Sequence, residues 1–214
     1  MNIQVFNFNP FQENTYVIYE ENNNCIIIDP GCYTNDEENQ LSNFIESKKL
    51  NPTKLINTHC HIDHVLGNRF VQEKWNIDLY INKLELPILD SAKNIAKTYG
   101  FNNYKHCKDP KHFINEKTII HLGNNSFNIL FTPGHSPGHI CLHNKKKNIL
   151  IGGDLIFKES VGRTDLPGGD HNILLESIRT KILTLKEDTL IYCGHGPSTT
   201  LAWEKKYNPF LIAN

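Results

Sequence analysis

The stretch Lys54-Leu55-Ile56-Asn57-Thr58-His59-Cys60-His61-Ile62-Asp63-His64 decides how the rest of the chain is read. Lys54 to Asn57 is a short strand, and it runs directly into a loop carrying three imidazoles and a carboxylate. In extended backbone, side chains i and i+2 lie on the same side, so His59 and His61 can converge on one ion. Cys60, between them, points the other way and is expected in a core. Asp63 and His64 come just past the strand end, where the chain can turn and offer a second cluster. A mononuclear helical site would space its two His at i and i+4 instead. The spacing therefore argues for a loop-borne site with capacity for two ions. Imidazole and carboxylate ligands suit zinc, iron or manganese.

Three further loops follow the same plan. Thr132-Pro133-Gly134-His135-Ser136-Pro137-Gly138 follows a strand and presents His135. Gly152-Gly153-Asp154 follows Ile149-Leu150-Ile151 and presents an acid. Cys193-Gly194-His195-Gly196 follows the strand Thr189 to Tyr192 and presents His195. Small residues beside each ligand let the backbone approach an ion closely.

Working outward, the first third reads as strands at Ile3 to Phe8, Thr15 to Tyr19 and Cys25 to Ile28, the last a continuous apolar run ending at Asp29-Pro30-Gly31. A helix is expected over Asp36 to Lys49 and another over Val65 to Trp75. Residues 83–117 are polar, with a weak helical pattern, and read as a helical or loop excursion from the core near the site. Strands resume at Thr118 to Leu122, Phe127 to Phe131, Ile140 to His143 and Ile149 to Ile151. A Gly-rich loop, Val161 to Asp170, precedes a helix at Ile173 to Leu183, and Ser198 is expected to cap a last helix. The order suggests an α/β fold with two sheets packed between helices, in one domain over 1–214. Each chemically unusual loop follows an apolar strand, where α/β folds place ligands.

Composition narrows the function. The 214 residues carry 22 Lys and Arg against 23 Asp and Glu, a formal charge of −1. That balance argues against nucleic-acid binding through a basic surface and against a polybasic membrane anchor. The N-terminal Met1 to Phe6 has neither a basic segment nor a long apolar one, and the six Cys form no CxxC pair or disulfide framework. A reduced cytoplasmic protein is expected. The 11 His stand out against 2 Trp and 1 Met. His59, His61, His64, His135 and His195 belong to the proposed site. His139, His143, His171, His106, His112 and His121 read as structural or exposed.

His59, His61, Asp63, His64, His135, Asp154 and His195, in this order, resemble the ligand set of the metallo-β-lactamase-fold hydrolases. The likeness covers nearly the whole chain. Phe11-Gln12-Glu13-Asn14, Ile28-Asp29-Pro30-Gly31, Gly162-Arg163-Thr164-Asp165, Cys193-Gly194-His195-Gly196-Pro197 and Glu204-Lys205 to Asn208-Pro209-Phe210 are similar to the short glyoxalase II-like branch. Cys193 departs from the Pro usual there. The resemblance implies an αββα sandwich with two ions, zinc first and iron or manganese otherwise. His59, His61 and His135 would hold one ion, and Asp63, His64 and His195 the other. Asp154 would bridge them, and Asp29 would brace the ligand loop. A hydroxide between the ions would attack a carbonyl carbon, with Asp63 orienting it.

The implied activity is hydrolysis of a small thioester, S-lactoylglutathione being the type substrate. The chain ends at Asn214, shortly after His195, whereas full-length glyoxalase II enzymes continue into a helical domain that supplies much of the glutathione site. An iron-dependent persulfide dioxygenase, needing only His59, His135 and Asp154 on the two-His-one-carboxylate plan, is the alternative. A non-catalytic metal-binding module is a further one. β-Lactam hydrolysis and RNA cleavage fit less well, for want of a signal peptide in the first case and of added domains in the second. Arg163 with Asp165 is expected as an ion pair under the site loop. Tyr99, Tyr104 and Lys105 are expected on an exposed helix and loop.

Overall fold

A computed structural model describes residues 1–212. The chain divides into two compact units, one of residues 1–113 with 122–124, the other of 114–121 with 125–214.

The first unit is built on a six-stranded sheet of order β1-β2-β3-β4-β5-β6. Its strands are β1 (Asn2–Phe8), β2 (Glu13–Tyr19), β3 (Asn24–Ile28), β4 (Asn51–Ile56), β5 (Leu79–Ile81) and β6 (His112–Phe113). The first three pair antiparallel and the rest parallel. Parallel neighbours need crossovers, and helices supply them: α1 (Asn35–Ser47) joins β3 to β4, while α2 (Ile62–Val65) and α3 (Asn68–Trp75) lie between β4 and β5. The apolar run Ile26-Ile27-Ile28 is fully buried, as a strand covered on both faces should be. Thr34 caps α1 in a reciprocal box: its hydroxyl accepts the Glu37 N–H, and the Glu37 carboxylate accepts the Thr34 N–H.

The segment 83–117 differs from an excursion. Its helix α4 (Leu86–Thr98) buries Leu89, Ala92 and Ala96 in the core that holds Val17, Ile27, Leu55 and Leu79. The opposite face carries Asp90, Lys93, Asn94 and Lys97, all exposed, which gives the segment its polar composition. β5, an unforeseen three-residue strand, and β6 extend the same sheet.

The second unit carries a sheet of order β14-β13-β10-β9-β8-β7. Its strands are β7 (Ile119–Leu122), β8 (Asn125–Phe131), β9 (Ile140–Asn144), β10 (Ile149–Gly153), β13 (Leu190–Cys193) and β14 (Thr199–Thr200), and a separate hairpin pairs β11 (Ile156–Phe157) with β12 (Ser160–Val161). α5 (His171–Ser177) continues into a π-helical turn, Ile178–Ile182. Leu174, Ile178 and Ile182 pack with Cys141, Leu150 and Ile191. The last helices are α6 (Leu201–Tyr207) and α7 (Pro209–Ile212). Thr200, not Ser198, caps α6 by accepting the Trp203 N–H, because β14 carries the chain two residues further before the helix starts. No helix among the described residues is long and apolar enough to cross a membrane.

Candidate metal centre

In the first unit, β3 and β4 are parallel neighbours with Ile28 level with Ile56, so Asp29 and the loop from Asn57 leave the same sheet edge side by side. The Asp29 carboxylate gathers that loop. It accepts the Thr58 N–H at 2.7 Å, the Thr58 hydroxyl at 2.6 Å and His64 Nδ1–H at 3.2 Å. His59 Nδ1–H donates to the same Thr58 hydroxyl at 3.1 Å. Both rings are thereby fixed through Nδ1, which leaves the Nε2 lone pair as the atom that could take an ion. The His59 ring lies 4.8 Å from His61 and 4.1 Å from His64, centroid to centroid. Asp63 Oδ2 is 3.6 Å from His64 Nε2. His59 and His64 are buried, while His61 and Asp63 retain some exposure.

Backbone groups of the loop are held as well. The Asn9 amide donates to the carbonyls of Gly31 and Asp63, both at 3.0 Å, and the Asn57 amide donates to the His64 carbonyl at 2.9 Å. Burial pushes the Glu13 carboxyl well above the usual range, and nearby Asp29 and Asp63 add to this against the opposing pull of His64 and Thr15. Asn9 and Asn57 carry no signal that a reading of the sequence could have used.

In the second unit, β8, β10 and β13 all point the same way, so His135, Asp154 and His195 emerge at one end of the sheet. The Gly194 N–H donates to the Gly153 carbonyl at 2.7 Å, which joins the two strand ends. Asp154 Oδ2 lies 3.5 Å from His135 Nε2 and also 3.5 Å from His195 Nε2. His135 Nδ1–H donates to the Arg163 carbonyl at 2.7 Å. Its Nε2 thus carries the lone pair that could take an ion. His139 is buried: its Nδ1 lies 2.9 Å from the Thr132 hydroxyl, and its Nε2 accepts the Asp154 N–H at 3.1 Å. It is structural, as expected, but its task is specific to the acid it holds.

Gly162 is required by close approach. A Cβ there would collide with the Asp154 carbonyl oxygen and sit 3.1 Å from His135 Nδ1. Gly134 has φ +131°, and a Cβ would run into the Leu174 backbone in the middle of α5. Arg163 and Asp165 form the expected ion pair, with Nε–Oδ1 at 2.7 Å and Nη2–Oδ2 at 2.8 Å; the guanidinium holds the Asp165 carboxyl at about 2. Both side chains are exposed, so the contribution of this segment to the site is the Arg163 carbonyl.

The donor sets suit a metal. Imidazole nitrogens and carboxylate oxygens 3.5–3.6 Å apart have about the separation of two ligands on one ion with bonds near 2.0–2.2 Å. Cys60 and Cys193 are buried in the cores of their units, and burial raises both thiols, that of Cys193 to about 12. Of the residues expected on an exposed helix and loop, Tyr99 is 49% exposed, while Tyr104 and Lys105 border a 690 Å³ cavity shared with Tyr33 and Arg69.

The sequence profile of the Metallo-beta-lactamase superfamily matches residues 8–195. The chain belongs to that superfamily. It is 36% identical over 212 residues to the hydroxyacylglutathione hydrolase GloC of Haemophilus influenzae, covering 99% of this chain and 98% of that one. Among solved structures it is similar to the BLEG-1 B3 metallo-beta-lactamase, with TM-score 0.90, 34% identity and coverage of 98% and 99%. It is also similar to TTHA1623, solved in a di-iron-bound form, with TM-score 0.87, 34% identity and coverage of 97% and 100%.

Proposed function

We propose that this chain is a binuclear metal-dependent hydrolase acting on small thioesters, S-lactoylglutathione-like compounds among them. The ligands proposed are His59, His61 and His135 for one ion, Asp63, His64 and His195 for the other, and Asp154 for both. The observation that carries the reading is the Asp154 carboxylate, whose one oxygen stands equally far from the Nε2 atoms of His135 and His195. A single imidazole partner would suffice for a structural contact, whereas an acid serving two ions needs a ligand on either side. The likeness to GloC supports the choice of thioesters.

Divalent ions bound there supply an acidified water and a Lewis acid for the carbonyl oxygen. The protein's part is orientation. Asp29, the Thr58 hydroxyl and the Arg163 carbonyl fix the tautomers of His64, His59 and His135, so these three rings offer an Nε2 lone pair rather than an N–H. Asp63, 15% exposed at its side chain, is the solvent-facing carboxylate of its loop, placed to orient the attacking water and accept its proton. No side-chain nucleophile is used.

Elemental analysis of the purified chain, with assays for thioester cleavage, oxygen uptake on glutathione persulfide and β-lactam opening, tests this. About two ions per chain with thioester cleavage is expected. One iron per chain with oxygen uptake and no thioester cleavage would overturn it in favour of a persulfide dioxygenase, and β-lactam opening alone would overturn the substrate class.

A further inference from the structure

We infer that Glu85 is a positioning residue for the metal-ligating loop, acting on His59 and His61 through the peptide between them. The inference rests on the reading of that loop as a metal centre. Glu85 closes a 3-10 turn, Lys83–Glu85, immediately after β5. β5 runs parallel to β4, with Leu55 level with Leu79 and Ile56 with Tyr80. The residues following the two strands therefore leave the sheet at the same end. The turn is set by Asn82, whose side chain accepts the Leu84 N–H at 3.0 Å while its carbonyl accepts the Glu85 N–H at 3.0 Å.

From that position Glu85 Oε2 accepts the Cys60 N–H at 2.7 Å. The carboxylate is fully buried, and Cys60 is 1% exposed. A charged acceptor at this length makes one of the stronger hydrogen bonds available to an amide. The bonded peptide lies between the two His that converge on one ion. Its rotation would swing both rings.

The remaining anchors leave this position to Glu85. The Asn57 N–H donates to the Tyr80 carbonyl and the Thr58 N–H to Asp29. The His64 N–H closes a turn on the His61 carbonyl. Cys60 comes between these points, and its amide is held from the adjacent strand end. This gives the 83–117 segment a role in the site that its polar composition does not announce.

The test compares the full-length wild type with Glu85→Ala and Glu85→Gln. Metal affinity is measured by chelator competition, Tm on the metal-free proteins, and the Cys60 amide resonance in 15N–1H spectra of the zinc-loaded proteins. Glu85→Ala should lose on the order of 10–100-fold in metal affinity, the usual cost of removing a partner behind a ligand. Glu85→Gln, whose amide oxygen can still accept, should recover most of that loss and shift the Cys60 amide resonance. Should Glu85→Ala not fold, Glu85→Asp, charged but one methylene shorter, should show an intermediate affinity loss. Wild-type affinity in Glu85→Ala (or in Glu85→Asp, where Ala does not fold), or an unmoved Cys60 resonance in Glu85→Gln, would overturn the inference alone. A drop in metal-free Tm with unchanged affinity would also overturn it, since that is a packing role. A wild type that holds no metal overturns the metal-centre reading itself, and this role with it.

Discussion

The two clusters proposed as metal ligands are held in opposite ways. In the first unit the ligands lie within six residues of one loop, and buried side chains grip that loop: Asp29 takes Thr58 and His64, Asn57 takes the His64 carbonyl, Asn9 takes the Asp63 carbonyl and Glu85 takes the Cys60 amide. In the second unit His135, Asp154 and His195 come from three strand ends, and backbone does most of the gripping. The Arg163 carbonyl orients His135, the Gly153 carbonyl ties down Gly194, and Gly162 lets the chain pass against Asp154. A single loop has too few internal contacts to fix four side chains, so it borrows acids and amides from its neighbours. Strand ends are already fixed by their sheet, so close backbone approach suffices. The first cluster should therefore be sensitive to side-chain chemistry behind the ligands, and the second to added volume beside them.

The largest expected effect falls on the residue that both ions would share. Asp154→Ala should lose most of its metal and drop activity by more than the roughly 10–100-fold typical of partners behind a ligand. Metal content and kcat/KM measure it. Full activity in this variant would break the site assignment, and with it the reason for comparing the two clusters at all.

The contrast itself is tested by a pair of substitutions. Asp29→Ala removes the acceptor of four buried donors, the Asn57 amide among them, each of which costs about 1–3 kcal/mol when left unmade. Asp29 also sits at φ 48°, a left-handed conformation that Asn tolerates better than Ala. Asp29→Asn should therefore keep the fold while losing charge and part of the metal affinity, and Asp29→Ala should fare worse on both. In the second unit, Gly162→Ala changes no charge and removes no donor. It should still cost about 1–3 kcal/mol by overpacking against the Asp154 carbonyl and weaken metal binding. Urea midpoints and chelator competition on all three variants would show whether chemistry matters in one cluster and volume in the other. A Gly162→Ala protein indistinguishable from wild type would break the comparison on its second side.

Much of this was legible in the sequence, for a physical reason. His59, His61, Asp63 and His64 sit at fixed spacing after an apolar run, and strand periodicity alone says which way alternate side chains point. The buried run Ile26-Ile27-Ile28 and the strand before each ligand loop follow from such local patterns, and the structure bears them out; the superfamily rests on the resemblance of the motifs, which the sequence profile bears out. What escaped depends on neighbours distant in the chain. Glu85 is 25 residues from the amide it binds, and Asn9 is 54 from the Asp63 carbonyl. Leu89, Ala92 and Ala96 make a buried face on a helix whose exposed Asp90, Lys93, Asn94 and Lys97 give the segment its polar reading. The cap of the last helix was misplaced at Ser198 because β14 is a two-residue strand formed only by pairing with β13.

The two units agree in their thiols. Burial raises Cys25 in the first and Cys141 and Cys193 in the second to about 12, from an ordinary value near 9.0. These groups stay protonated in the folded chain and ionise first in the unfolded one. The stability they contribute is whole below about pH 9 and is lost as pH rises from there toward 12. Urea midpoints should fall over that window. At pH 8 all six thiols should resist a chromogenic disulfide reagent until the chain unfolds, as each is buried. Rapid reaction of any one would mark a unit as looser than its packing.

The smallest effect is expected at the most conspicuous ion pair. Arg163 and Asp165 meet through two short hydrogen bonds, yet their side chains are 60% and 68% exposed, so water screens the pair and competes for both partners. What the site takes from Arg163 is its carbonyl oxygen, which any residue supplies equally well. Arg163→Ala should therefore leave metal affinity and Tm within error of wild type, beside a Gly162→Ala that does not. Loss of metal in Arg163→Ala at low salt, recovered by no change of ionic strength, would mean that the guanidinium reaches the ligands, and that the second cluster leans on side-chain chemistry beyond the His139 that accepts the Asp154 N–H. A change confined to KM would instead assign the guanidinium to substrate and leave the contrast between the clusters standing.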